Sequence, residues 1–166
     1  MLIRLYSSSD LKQIIKLFRE TVTEVNAADY TEEQCKAWVS AADDPDGWGR
    51  SLAANYTVVA LEDGGIIGFG DIDSLGYLNR LYIHKDHQRK GAATLIVGAL
   101  EEHAFTSRGL DMVYTQASIT ARPFFLRRGY GIKSENRTAR QGRILLNYSM
   151  EKRSANLKDL TVSGDE

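Results

Sequence analysis

One stretch of the chain constrains its fold more than any other. The apolar run YLNRLYI (77–83) is typical of a strand, and the polar loop HKDHQRKG (84–91) follows it directly. Residues 92–105 then repeat Ala, Leu, Ile and Val at helical spacing, and DMVYTQAS (111–118) is strand-like again. Because a helix connects the two strands, they are expected to lie side by side in parallel orientation.

The remaining segments predict mostly antiparallel neighbours. The strand-like runs TVVAL (57–61) and IIGFGDID (66–73) flank a turn, and a second turn leads into residues 77–83. Outside this region the sequence predicts a strand at 2–6, helices at 10–25 and after Thr31, a break at DDPDGWG, a short helix at 124–128, and strands at 132–134 and 144–150. This order predicts an α+β fold, with a mostly antiparallel mixed sheet and one parallel junction between strands 4 and 5.

Length and composition narrow the protein class. The 166 residues suit one domain, which we place at residues 1–152, and the polar segment 153–166 is expected to be a flexible tail. A formal net charge of −1 gives no support for binding nucleic acid or an anionic membrane. The lone Cys35 excludes an internal disulfide, and three His with one Cys cannot form a common structural zinc site. No signal peptide or membrane span is evident, so a cytoplasmic protein is expected.

The loop before the predicted helix at 92–105 has the chemistry of an anion site. A helix N-terminus offers unpaired backbone N–H groups and a partial positive charge, and glycine lets an anion approach the backbone closely. The run QRKGAAT (88–94) adds two cations and small residues there, which suits a pyrophosphate. Neither a dinucleotide-binding GxGxxG motif nor a phosphate-binding GxxxxGK[ST] loop is present. The alternative is a solvated basic turn before an ordinary helix.

Two sequence blocks resemble one known family. Gln88, Gly91 and Ala93 fill the pattern Q/R-x-x-G-x-G/A that opens a helix after the fourth strand of the GNAT acetyltransferase superfamily. ASITARPFFLRRGY (117–130) is similar to that family's downstream block N-x-x-A-x-x-F-Y-x-x-x-G-F. Both blocks stand in the family's order of elements, so the resemblance covers residues 2–150.

The resemblance implies a GNAT-like fold of α/β/α layers and an N-acetyltransferase that uses acetyl-CoA as co-substrate. It assigns the pyrophosphate to backbone N–H groups from Arg89 to Thr94 and the pantetheine arm to the strand from Leu81 to Ile83. The backbone N–H of Leu81 would face the developing oxyanion, which requires that strand to be splayed or bulged there. The residues predicted to contact the cofactor are Leu81, Tyr82, Ile83, Gln88, Arg89, Lys90, Gly91, Ala92, Ala93, Thr94, Ser118, Phe124 and Phe125.

The acid and the base of the reaction are less well indicated. Ser118 stands where the family often has Asn, and Phe125 stands where it often has the Tyr that protonates the leaving thiolate. No Glu occurs on the fourth strand, so Asn79 could orient a water and Asp73 could act as base, although Asp73 also suits a turn carboxylate. We therefore predict Leu81, Asp73 and Asn79 as catalytic residues.

Two tyrosines could replace the missing acid, and several aromatic residues could contact the acceptor. Tyr82 and Tyr130 can each donate a proton, but both also suit packing. By resemblance, Tyr30, Trp38 and Trp48 fall on the acceptor side, and Trp38 could equally anchor its helix in the core.

The predicted acceptor is a primary amine of a small molecule or peptide, attacked directly in a ternary complex with acetyl-CoA. The neutral net charge, with Asp71 and Asp73 on one strand face, mildly favours a small cationic amine. Members of the superfamily are often dimers, so the resemblance allows a homodimer. The rival hypotheses are a non-catalytic acyl-CoA sensor or regulatory module, and a structural protein without a CoA site.

Overall fold

In the computed structural model, which describes residues 1–155, seven strands form one mixed sheet in the order β1-β2-β3-β4-β5-β7-β6. The strands are β1 Leu2–Leu5, β2 Tyr56–Glu62, β3 Gly65–Ile72, β4 Tyr77–Ile83, β5 Met112–Ser118, β6 Gly131–Arg140 and β7 Arg143–Arg153. The helices are α1 Leu11–Glu24, α2 Glu32–Val39, α3 Pro45–Ala54, α4 Ala92–Glu102 and α5 Arg122–Arg127. Among these strands, β4 and β5 pair in parallel and the other neighbours pair antiparallel. The predicted fold class and its parallel junction are confirmed.

Two hydrophobic cores lie on opposite faces of the sheet, as the predicted α/β/α layering requires. Along β2, Val58 and Ala60 pack into the core shared with α4 and α5, whereas Val59 packs into the core shared with α1, α2 and α3. All three side chains are at most 2% exposed. Successive residues of a strand point to opposite faces, so a strand buried on both faces reads as a continuous apolar run.

The segment DDPDGWG separates α2 from a further helix, so the predicted break is present, but the sequence analysis did not predict the helix that follows it. This helix, α3, begins at Pro45, which lies in the first turn, where a missing backbone N–H costs nothing. The carboxylate of Asp44 accepts from the Gly47 N–H at 2.9 Å and caps the helix. The helix was missed because Asp-Pro is a start signal for a helix as well as a stop signal for the one before it. The predicted cap of α2, by contrast, is confirmed: Thr31 and Gln34 bond each other's backbone N–H groups.

Two glycines of β3 let α4 lie close against the sheet. A Cβ at Gly70 would stand 2.7 Å from Cγ2 of Ile96, and one at Gly68 would stand 3.0 Å from Cδ1 of the same residue. Contacts this short do not occur without movement, so these positions require glycine for packing. The close approach fixes where the N-terminus of α4 lies relative to the end of β4.

The C-terminal hairpin is longer than the sequence predicted. Pairing between β6 and β7 runs from Gly131 opposite Glu151 to Arg140 opposite Arg143. Polar, mostly exposed residues hide the extended pattern of β6. The first residue of the predicted tail, Arg153, is the last residue of β7. The next residue is also held, because the Ser154 N–H donates to the Asp111 carbonyl at 2.8 Å. The rest of that tail, residues 156–166, lies outside the described residues. Within residues 1–155, none of the helices has the length and apolar character needed to cross a membrane.

Candidate active site

A cleft of about 1010 Å³ opens where β4 and β5 separate. The two strands pair only at Tyr77 with Tyr114 and at Leu78 with Thr115. The Thr115 hydroxyl donates to the Leu78 carbonyl at 2.8 Å, at the last pair before the gap. Beyond this point the β5-facing edge of β4 has no strand partner, so its backbone groups can bind an extended ligand.

The register of β4 directs the backbone N–H groups of Leu81 and Ile83 into this gap. The N–H of His84 donates to Ile67 in β3 at 2.7 Å. Backbone groups alternate in direction along a strand, so the N–H groups of Leu81 and Ile83 point away from β3 and toward the gap. The carbonyl of Ile83 points the same way, because it accepts from Gln88 at 2.6 Å and from Thr21 at 3.0 Å. The splayed strand that the oxyanion role of Leu81 required is therefore present.

The loop before α4 has the backbone conformation of an anion-binding turn. Arg89 has φ 59°, and Gly91, which caps the helix, has φ 90° and ψ 0°. Left-handed residues next to a helix N-terminus can turn successive N–H groups toward one concavity. No side chain caps the first turn of α4, so those N–H groups remain available to a ligand.

The predicted cofactor residues converge on this cleft with one exception. All of them line it except Lys90, whose ammonium donates to the Asp86 carbonyl at 2.9 Å instead. Gln88 contributes by holding the end of β4 through its bond to Ile83. Two further arginines that the sequence did not single out also line the cleft: Arg127, and Arg128, whose guanidinium donates to the Glu101 carboxylate at 3.0 and 2.9 Å.

His87 also lines the cleft, and its buried Nδ1 has no hydrogen-bond partner among the described residues. The imidazole Nε2 lies 3.3 Å from Glu62. The sequence indicates only a loop position for this residue, because a histidine in a polar loop carries no pattern that reports its burial. Within residues 1–155, no group of three or more His, Cys, Asp or Glu could hold a metal ion.

The two candidate acids occupy different environments. Tyr130 is 2% exposed, its hydroxyl donates to Glu101 at 3.0 Å, and it does not line the cleft. Burial, followed by the nearby Glu101 carboxylate, raises the pKa of Tyr130. Tyr82 does line the cleft, where its hydroxyl accepts from the Trp38 indole at 3.2 Å. Burial raises the pKa of Tyr82, so its hydroxyl stays protonated and can donate a hydrogen bond.

The two predicted catalytic side chains, those of Asn79 and Asp73, lie in different parts of the structure. Asn79 is exposed and lines the cleft, at a bulge where β4 has one more residue than β3. Asp73 lies outside the cleft, in the turn before β4. Its Oδ1 accepts from the N–H groups of Leu75 and Tyr77, each at 2.9 Å. These contacts are those of a turn carboxylate, the alternative that the sequence had left open.

A second, smaller chamber of about 280 Å³ adjoins the cleft. Five residues line both spaces: Trp38, Asn79, Tyr82, Gln116 and Ser118. The chamber lies between the helical layer, β4 and the β6–β7 hairpin, and six aromatic rings form part of its walls beside polar side chains. The rings are those of Phe18, Tyr30, Trp38, Trp48, Tyr77 and Tyr82. Trp38 and Trp48 pack with the core and also border the chamber, so this position is compatible with both roles that the sequence allowed for Trp38.

Two arginines supply the charge of this smaller chamber. The guanidinium of Arg80 lies 5.0 Å from the ring centre of Trp48 and makes two hydrogen bonds to Asp71, at 2.9 and 2.7 Å. Asp71 is fully buried behind it and does not border the chamber. Arg140 enters from the end of β6. Among the described residues, no Asp or Glu lines either the cleft or the chamber.

The comparisons with known proteins agree with this geometry. The family model described as an acetyltransferase (GNAT) domain matches residues 26–152. The chain is similar to an uncharacterized N-acetyltransferase, YafP, of Escherichia coli K12, with 28% identity over 149 residues, which is 89% of this chain and 93% of that one.

Two solved structures resemble the fold closely. A GCN5-related N-acetyltransferase from Rhodopseudomonas palustris superposes with a TM-score of 0.89 and 32% identity, covering 92% of this chain and 95% of the other. The PaiA N-acetyltransferase of Thermoplasma acidophilum, solved with coenzyme A, has a TM-score of 0.74 and 19% identity, over 93% of this chain and 100% of that one. The second likeness shows the fold alone.

Proposed function

The chain belongs to the GNAT acetyltransferase family, with acetyl-CoA as co-substrate, and from this premise we propose that it acetylates a primary amine of a small molecule or peptide by direct attack in a ternary complex. The observation that carries the proposal is the pair of adjoining spaces, which share five lining residues. One space suits the cofactor and the other suits an acceptor, so both substrates can be bound at once.

The cofactor side of the proposal follows the open edge of β4. The pantetheine arm would pair with Leu81 to Ile83, and the pyrophosphate would lie at the N-terminus of α4 beside Gly91. The Leu81 N–H would then donate to the thioester carbonyl oxygen as negative charge develops. In the transfer, the amine nitrogen attacks the carbonyl carbon, the C–S bond breaks, the nitrogen loses a proton and the CoA thiolate gains one.

A covalent acetyl-enzyme on cysteine is not part of the proposal. Cys35 is 2% exposed, lies in the core between the sheet and α1–α3, and lines neither space. Burial raises the pKa of the Cys35 thiol, which disfavours the nucleophilic thiolate. Direct attack needs no such intermediate.

The proton donor to the leaving thiolate is proposed among the hydroxyls that line both spaces. Phe125 has no proton to donate, but Tyr82 and Ser118 do. The Ser118 Oγ accepts from the Ala121 N–H at 3.0 Å, which leaves its own proton free. Asn79 would orient the acceptor or a water. The prediction that Asp73 is the base gains no support from its turn contacts.

The proposal is tested by mixing the purified protein with acetyl-CoA and a panel of amines, then following thiol release. Tyr82→Phe and Ser118→Ala are compared in parallel. The variant that lowers kcat while the Kd for CoA stays unchanged identifies the donor. CoA binding without thiol release from any amine would favour the sensor or regulatory module instead. The cytoplasmic location and the homodimer stay predictions from the sequence.

A further inference from the structure

The size and walls of the smaller chamber favour one aromatic ring. A cavity of about 150 Å³ is enough to hold benzene. The chamber offers about 280 Å³, which leaves room for substituents on a single ring. Its aromatic side chains are held in place by one another: Trp48 lies 4.7 Å from Phe18, and Tyr30 lies 5.2 Å from Trp38, between ring centres. Rigid aromatic walls select a flat apolar body.

The charge in the chamber favours an anion. The side chain of Arg80 is 9% exposed, and Asp71 and Ser51 occupy its Nε and Nη2. Its Nη1 donates to no residue within 1–155 and is not among the fully enclosed unpartnered atoms. The side chain of Arg140 forms no hydrogen bond or ion pair with any described residue, although its backbone pairs with Arg143. Two guanidinium groups border the chamber and only that of Arg80 is paired with a carboxylate, so the chamber carries net positive charge, which a carboxylate of the acceptor would complement.

The lining also lacks a carboxylate that could pair with an alkylammonium acceptor. No Asp or Glu in the described part of the chain borders the chamber or the cleft, so no carboxylate there can pair with an ammonium or take its proton. The amino group of an arylamine is uncharged at neutral pH and can attack without first losing a proton to a base.

We infer that the acceptor is an aromatic amine that carries a carboxylate, with aminobenzoates as the simplest class. This inference rests on the proposed function and specifies its substrate. The ring lies against the tryptophans, the carboxylate pairs with Arg140 and the free Nη1 of Arg80, and the amine points to the shared residues at the cleft. Nitrogen attack on acetyl-CoA gives the N-acetyl arylamine and free CoA thiol, and the proton lost by nitrogen balances the proton gained by sulfur.

The test compares three acceptors in the thiol-release assay at saturating acetyl-CoA: 4-aminobenzoate, its neutral counterpart 4-aminobenzamide, and spermidine. We expect kcat/KM for 4-aminobenzoate to exceed that for 4-aminobenzamide at least tenfold, with spermidine the poorest. Equal values for the two arylamines, or a preference for spermidine, would overturn the inference while leaving the acetyltransferase activity established.

Arg140→Gln then tests the residue assignment, with Arg137→Gln as its matched control. Both arginines lie exposed on β6, but only Arg140 borders the chamber. We expect Arg140→Gln to raise KM for 4-aminobenzoate about tenfold, with kcat and the KM for 4-aminobenzamide little changed, and Arg140→Lys to recover part of the loss. Identical behaviour of the Arg140→Gln and Arg137→Gln proteins would refute the assignment.

A calorimetric titration tests binding of the acceptor without requiring that the protein turn it over. If no amine releases thiol although CoA binds, the proposed function fails. The CoA-bound protein is then titrated with 4-aminobenzoate and with 4-aminobenzamide. Selective binding of the carboxylate would still support an anion-binding aromatic chamber, whereas binding of both equally, or of neither, would overturn it.

Discussion

Gly91→Ala is expected to weaken CoA binding without a matching loss of stability. A Cβ at this position meets no protein atom within 4 Å, so the substitution creates no internal clash. The left-handed φ of 90° still penalises alanine, by about 1–2 kcal/mol. If the pyrophosphate lies against this backbone, the Cβ also displaces it and weakens one charge-assisted hydrogen bond, worth about 1.5–3 kcal/mol. Since about 1.4 kcal/mol is tenfold, Kd should rise roughly 10- to 150-fold.

Gly109→Ala is the matched control for this experiment. Gly109 also has a left-handed φ, of 65°, and open space around its Cβ, but it borders neither the cleft nor the chamber. Both variants should lose a similar amount of unfolding free energy in urea denaturation. Only the Gly91 variant should show the higher Kd when CoA is titrated by calorimetry.

The result that would refute the reasoning is a Kd for Gly91→Ala within twofold of that for Gly109→Ala. Such a result would mean that the pyrophosphate does not approach the backbone at this turn. Gly91→Glu extends the series, because it adds bulk and negative charge at the same position. It should bind CoA more weakly than Gly91→Ala.

Three further predictions concern pH and stability. Because the lining carries no carboxylate base, kcat/KM for an alkylamine should rise about tenfold per pH unit up to the amine's own pKa, and a plateau below about pH 8 would reveal a protein base. Asp10→Asn should cost about 1 kcal/mol in urea denaturation, since Asp10 accepts from Arg4 at 2.7 and 2.9 Å. The hydrogen bond from Arg4 is the largest effect on the pKa of Asp10 and lowers it. The stabilisation is therefore present above about pH 4 and is lost as pH falls through the lowered pKa. The stability of Asp10→Asn should not show this loss. Gly70→Ala should cost about 1–3 kcal/mol, because its Cβ would stand 2.7 Å from Ile96, whereas Gly65→Ala, with its nearest contact at 3.7 Å, should be nearly neutral.

The sequence alone predicted the elements that border the cleft, because their signals are local. An apolar run predicts β4, helical spacing predicts α4, and the polar loop with Gly91 lies between them, where the structure shows a left-handed turn at the helix N-terminus. Strand, helix and strand in succession require a parallel pair, and that pair is present. Local patterns were insufficient at Asp44-Pro45, where the same residues can end one helix and begin another. They were also insufficient along β6, where most side chains are exposed and polar, so no alternation of apolar residues marks the strand.

The chamber proposed for the acceptor is visible only in the tertiary structure. Arg80 and Arg140 are sixty positions apart in the chain, and both border this space because β4 and the β6–β7 hairpin lie on either side of it. Asp71 and Asp73 suggested a cationic acceptor from their spacing, but one is buried against Arg80 and the other caps a turn. The charge that a residue presents to a ligand depends on which residues lie beside it in space. Long-range strand pairing sets the order and the splay of the strands, and these determine the neighbours. The sequence therefore contained every side chain of the chamber, while the fold determined which of their charges are paired within the protein.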